Sequence, residues 1–405
     1  MRRTVEIVLT AQQAAVFFAV ANFLWVSAVL VLFAMRGVDV PGGATCVQRV
    51  VDFHALWGAG SLAFAGQPLS AFDHTALLAA FESCPRDGMF WLYPAPVLMI
   101  LTPFGAMPFF VGYVAITALS LIFIALAARQ FLQDKLIALA LITFSPAWLP
   151  ALMSGQLTLF WCAGLLFAIS MLRQERNVAA GAIIGFLTLK PTLGLLIPVI
   201  LLAERRYTTI LAAIVTTAML HFSATAYYGF EYIALWMDVS FFESAVERSA
   251  VALNRSLASF GSFATLFGVP DHFSTQANAI AFLVLAIVLF GVWRRHGVQS
   301  DLAVAALFAA IPLSAPYLWH YDAALSAVAA LFIYLARPAS PPIHFWMLLA
   351  LFWFGPGIPV INQIIFQAQW VYPTSVLSPI LMVAFVFSLR QLRNATTTAQ
   401  NRKAV

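Results

Sequence analysis

The chain has 405 residues, 62% hydrophobic and only 9% charged, with a mean hydropathy of +0.92 and a net charge of +5. Such a composition excludes a soluble globule, whose surface carries far more charge, and points to a polytopic membrane protein. The basic residues stand in ones and twos between apolar runs and form no patch, which excludes nucleic acid as a partner and leaves the lipid bilayer.

The first apolar run, about residues 10–35, is too long for a signal-peptide core and has no small-residue cleavage pattern behind it, so it reads as a span that is kept. Residues 36–92 form a first outer loop. Within it, RVVDFHALWGAGSLAFAG and AFDHTALLAAFESC carry apolar residues at helical spacing, which predicts two amphipathic helices lying along the membrane surface. The next stretch, YPAPVLMILTPFGAMP (93–108), would reach only about 22–24 Å as a helix, short of the roughly 30 Å hydrocarbon core. Its prolines, Pro94, Pro96, Pro103 and Pro108, argue against a regular helix, so it reads as a re-entrant or broken piece. Further spans follow near residues 109–128, 136–151, 156–172, 178–189, 192–203 and 208–228. A second outer loop, 229–276, precedes spans near 277–293, 301–316, 323–336, 343–360 and 374–389. The fold class expected is therefore all-α, with about twelve transmembrane helices. Neither loop contains a Ser/Gly linker or low-complexity run, so residues 1–405 read as a single membrane domain.

Orientation follows from the excess of Lys and Arg in cytoplasmic loops. With both termini inside, the inner side receives most of the basic residues: Arg2, Arg3, Arg129, Lys135, Arg173, Arg176, Arg205, Arg206, Arg294, Arg295, Arg337, Arg390, Arg393, Arg402 and Lys403. The outer side collects most of the acids, among them Asp52, Asp73, Glu82, Asp87, Asp238 and Asp322.

Candidate functional residues gather on that outer side. Asp52 stands among Val51, Phe53, Leu56 and Trp57; it is either a solvated loop acid or a partly desolvated carboxylate suited to a general base. Lys190, the sole lysine on the outer side, sits at a span end before Pro191 and either snorkels or holds an anion such as phosphate. SAPYLWHYD (314–322) brings Pro316, Trp319, His320, Tyr321 and Asp322 to one helix end, an interfacial histidine being the plainer alternative. In ALNRSLASFGSF, Arg255 beside Asn254 suits bidentate phosphate binding; Asn254-Arg255-Ser256 also fits a glycosylation pattern that is common by chance. Gly155-Gln156 opens a span from the outer side, a weak signal alone. No zinc-type spacing, phosphate-binding loop or acidic pair beside Asp52 suggests a metal or cofactor. Cys46 and Cys84 share the first outer loop and can pair if it faces an oxidising compartment.

Taken in order, VVDFHALW, YPAP, SGQ, LKP, NRSL and PYLWHYD resemble glycosyltransferase family 87, bacterial membrane mannosyltransferases of the GT-C superfamily. The resemblance runs from Asp52 to Asp322. It implies a multi-pass GT-C helical bundle in the bacterial inner membrane, an active site on the periplasmic face, a polyprenyl-phosphate sugar donor and a glycolipid or glycan acceptor. It maps the catalytic acid onto Asp52. Lys190, Arg255 and His320 then become candidates for the donor phosphate, and Trp57, Tyr93, Gln156, Asn254, Trp319 and Asp322 for the substrates. Two departures stand out: Tyr93-Pro94-Ala95-Pro96 where members often show Tyr-Pro-Pro, and His320-Tyr321 where a His pair is common, so a second imidazole has no counterpart here. The rival reading is a transporter or lipid flippase with coupling charges at Asp52, Lys190 and Asp322. Against it, the chain shows no convincing internal repeat, and its ionisable residues favour one face over mid-membrane.

Overall fold

The computed structural model describes residues 13, 16–17, 19–25, 51–80, 91–132, 135–238, 257–316, 318–358 and 376–403. Asn254, Arg255, Cys46, Cys84 and most of the first expected span lie outside these residues. The described chain is helical throughout, apart from one isolated antiparallel bridge between Leu257 and Trp319.

In chain order, α1 (Val51–Phe64) and the short α2 (His74–Ala79) precede α3 (Pro96–Gly105) and α4 (Phe109–Leu132). Next come α5 (Leu136–Thr143) and α6 (Leu149–Ser154), joined through a 3-10 turn at Pro146–Trp148. Then follow α7 (Thr158–Arg173), α8 (Asn177–Leu187), α9 (Ile197–Ala203) and α10 (Tyr207–Tyr228). The chain continues with α11 (Phe260–Thr265), α12 (Ser274–His296), α13 (Asp301–Ser314), α14 (Leu325–Leu335), α15 (Ile343–Phe354) and α16 (Leu377–Lys403).

Among the described residues, four stretches are long and apolar enough to cross a membrane: α4, α5–α6 taken together (Leu136–Ser154), α10 and α12. The expected spans near 156–172, 178–189, 192–203, 301–316, 323–336 and 343–360 correspond to shorter helices, and that near 374–389 falls on the 27-residue α16. At 1.5 Å per residue α7 rises about 24 Å and α8 about 16 Å. Helices α7, α13 and α14 are buried nearly all round, which is why their sequences carry no polar face, whereas α8 exposes Val178 and Phe186.

Two expectations for residues 51–108 need correction. Helix α1 is not a surface helix: apolar side chains occur all round it, and Phe53, Leu56 and Ala59 are buried among α3, Trp91 and Ile116. Its axis lies tight against α3, because Gly60 and Gly105 meet backbone to backbone; a Cβ on Gly60 would stand 2.6 Å from the Leu101 carbonyl oxygen. Likewise, the prolines do not prevent a regular α3. Pro96 occupies the first turn, where a missing N–H leaves no bond unmade, and Pro103 is accommodated in the last turn. The length argument survives: ten residues rise about 15 Å, half a bilayer core.

The apolar interior forms two clusters. The larger packs α7, α13 and α14 with α5, α15 and α16; the smaller joins α1 and α3 to parts of α4 and α10. Leu157 and Leu189 pack against the smaller cluster, while Leu159, Leu187 and Tyr321 belong to the larger. The loop ends between these residues form the seam in which polar side chains gather.

Candidate active site

Asp52 lies in the first turn of α1, where a carboxylate is favoured by the helix dipole. Its Oδ2 accepts a hydrogen bond from Gln156 Nε2 at 2.7 Å. The Gln156 Oε1 in turn accepts from the Tyr93 hydroxyl at 2.8 Å. This amide orientation is the one in which a carboxylate, an acceptor only, meets a donor. The turn carrying Gln156 depends on Gly155, which caps α6 in the left-handed region at φ 69°. A Cβ there would lie 2.5 Å from the Phe53 Cβ, so glycine lets this turn press on α1 one residue beyond Asp52.

A second polar group adjoins the first. Past the end of α8, Lys190 Nζ reaches Asp322 Oδ1 at 2.6 Å and the Thr158 hydroxyl at 3.3 Å. Thr158 Oγ1 donates to the same Asp322 oxygen at 2.6 Å. The ammonium also stands 5.1 Å from the centre of the Tyr321 ring, within cation–π range. Tyr321 lies nearly parallel to Trp319, with ring centres 6.4 Å apart. The lysine and aspartate side chains are 13% and 4% exposed, so the pair is largely withdrawn from solvent and each charge depends on the other.

Gln156 and Thr158 lie two residues apart at the entry to α7, and through them the two groups become one site. Burial, followed by the charges of Asp322 and Asp52, pushes the Tyr93 phenol well above its ordinary range; its bond to Gln156 opposes this more weakly. Tyr93 therefore stays a neutral donor. Behind the site, Ala258 N–H donates to the Leu318 carbonyl at 2.7 Å and Ser378 Oγ donates to the Ala258 carbonyl at 2.6 Å, fixing the strand-like entry to Trp319 and His320. His320 is buried, 5.5 Å from Tyr321 between ring centres.

Five candidates read from the sequence, Asp52, Tyr93, Gln156, Lys190 and Asp322, thus share one polar network, with Trp319 and His320 beside it. Trp57 is engaged elsewhere: its indole N–H donates to the Met107 carbonyl at 2.9 Å and its ring packs edge-on against Phe109. Asp73 caps α2 by accepting from the N–H groups of Thr75 and Ala76. One member of the network escaped the sequence reading, Thr158, and Tyr321 entered it only as part of a motif, without a role of its own. Thr158 is a lone hydroxyl at the start of an apolar helix and offers no comparable signal. Among the described residues no three of His, Cys, Asp and Glu converge as metal ligands.

The arrangement offers an oriented carboxylate in one group and a buried ammonium in the adjoining one, suited to removing a proton from one atom while charge develops on another. The model of glycosyltransferase family 87 matches residues 91–316, more than half of the chain. The matched range contains Tyr93, Gln156, Thr158 and Lys190; Asp52 and Asp322 flank it. No curated protein and no solved structure matches the chain.

Proposed function

Because the chain belongs to glycosyltransferase family 87, a family of membrane glycosyltransferases, we propose that it moves a sugar, mannose by the family expectation, from a polyprenyl-phosphate donor to an acceptor hydroxyl. Asp52 takes the acceptor proton as the acceptor oxygen forms its bond to the anomeric carbon. The bond from that carbon to the phosphate oxygen breaks, and the polyprenyl phosphate leaves with the electron pair. Direct attack inverts the anomeric configuration. The single observation carrying this reading is the chain Tyr93–Gln156–Asp52 set beside the Lys190–Asp322 pair.

Gln156 fixes the carboxylate rotamer, and Tyr93 fixes Gln156. Lys190 supplies positive charge for the leaving phosphate, preorganised by Asp322 and Thr158, a form of catalysis that needs no rearrangement as charge develops. Arg255 and His320 assist the same phosphate. Trp319, Tyr321 and Asn254 border the sugar. The acceptor is a glycolipid or glycan, and the donor's lipid tail lies in the bilayer. In this reading the shorter helices complete a GT-C bundle of about twelve spans in a bacterial inner membrane, with both termini cytoplasmic and the network on the periplasmic face.

The test is transfer of radiolabel from polyprenyl-phosphate mannose to extracted lipids and polymers, using membranes with and without the protein. Protein-dependent product is expected. Label moved into sealed vesicles without any covalent product would replace the enzyme reading with that of a transporter.

A further inference from the structure

The helices that bring the network together at one end carry a cationic groove at the other. Helix α7 runs about 24 Å from Thr158 to Arg173, and near its far end a groove of about 640 Å³ opens between the turns after α7, α9 and α12. Its wall includes Glu175, Glu204, Arg205, Arg206, Arg294 and Arg295. Both glutamates are taken up by Arg206, Glu175 at 2.6 Å and Glu204 at 2.9 Å, and Glu204 also accepts from the Val298 N–H. Arg294 reaches only the Ala203 carbonyl, at 3.4 Å. Among the described residues no carboxylate pairs with Arg205, Arg294 or Arg295, and all three are exposed. The groove thus holds positive charge that its own acids leave unneutralised.

Its surroundings select the kind of anion. On α12, Ile280, Leu283, Val284, Ile287 and Phe290 are all exposed. Their spacing puts them on one helix face, and the next position on that face is Arg294. From Ile280 to Arg294 the stripe rises about 21 Å, more than the depth of one leaflet of a roughly 30 Å core. Leu202, Tyr207 and Leu211 add exposed apolar surface on the neighbouring α9 and α10. An apolar stripe at least one leaflet deep ending on arginines has the form of a lipid, chain first and headgroup last.

We propose that this groove binds the phosphate headgroup of an anionic phospholipid, with Arg205, Arg294 and Arg295 as its contacts and the α12 stripe as the bed of an acyl chain. It is a second lipid site, at the opposite end of the bundle from the Asp52 network and independent of the reaction assigned to it.

Native mass spectrometry of the purified full chain, titrated with phosphatidylglycerol or phosphatidylcholine, tests the site. Phosphatidylglycerol adducts should persist at concentrations at least tenfold lower than phosphatidylcholine adducts. Arg205→Gln and Arg295→Gln, both at exposed positions whose loss leaves no buried group unpaired, should each weaken retention about fivefold. Arg176→Gln, exposed at the same end but outside the groove wall, should change nothing. Equal retention of the two lipids, or wild-type retention by both groove variants, would overturn the proposal. So would a loss in Arg176→Gln equal to theirs, which would mean that bulk charge alone is read. Displacement of the lipid by an equal concentration of inorganic phosphate would also overturn it, identifying a soluble-phosphate site instead.

Discussion

Removing Lys190 alone is expected to destabilise the protein more than removing Lys190 and Asp322 together. In Lys190→Met, Asp322 keeps its Thr158 hydrogen bond but loses its cation, with a side chain only 4% exposed. A buried charge deprived of its partner costs about 3–5 kcal/mol. Asp322→Leu leaves the ammonium somewhat less stranded, because it is 13% exposed and still has Thr158 and the Tyr321 ring, so its cost falls at the lower end of that range. In the double variant, Met and Leu fill similar volumes and no charge remains, so most of the penalty disappears and the coupling, the summed single costs less the small residue in the double, is on the order of 6 kcal/mol. Equilibrium unfolding of the four proteins in mixed micelles gives the cycle. Additivity within about 0.5 kcal/mol would refute the pairing and, with it, the preorganised cation.

Other consequences follow from the same network. Gln156→Leu removes the hydrogen bond that holds the Asp52 carboxylate; bonds to charged groups contribute about 1.5–3 kcal/mol, so turnover should fall roughly 10- to 100-fold in a transfer assay while the protein stays folded by circular dichroism. Gly155→Ala imposes a left-handed backbone on a residue with a Cβ and drives that Cβ into Phe53; a loss of at least about 1–3 kcal/mol should appear as a lower unfolding temperature together with reduced activity. Tyr93 titrates above its ordinary value in the folded protein but at about 10 when unfolded. Above pH 10 the unfolded chain therefore gives up a proton that the folded one keeps, and stability falls as pH rises. Unfolding measured from pH 9 to 11 should show a steeper loss for the wild type than for Tyr93→Phe.

The sequence displayed the parts of the site better than their joints. Asp52, Lys190 and Asp322 stood out because polar residues at the ends of apolar runs are conspicuous in a chain so poor in charge, whereas Gln156 was a weak signal alone and Tyr93 entered only through the family resemblance. That Lys190 meets Asp322 was hidden, since 132 positions separate them and nothing local ties the end of one helix to the start of another. For the same reason Lys190 read as a snorkelling side chain or an external anion's partner, when its nearest anion is internal. Thr158 carries no signal until Asp322 is placed beside it. The helical stretches were legible from hydrophobic runs, but α1 was read as a surface helix because spacing alone cannot distinguish an amphipathic stripe from a helix apolar on every side. Residues 93–108 show the converse: length argued against a full span, and the helix there has only ten residues, while counting prolines without their positions concealed α3.

Turnover of polyprenyl-phosphate mannose by purified protein carrying Asp52→Asn, compared with wild type at equal folded concentration, tests the central claim most directly. The asparagine keeps the size and the contact with Gln156 but cannot accept a proton, so the rate should fall on the order of 10²- to 10⁴-fold with donor binding retained. An unchanged rate would contradict the assignment of Asp52 as the base.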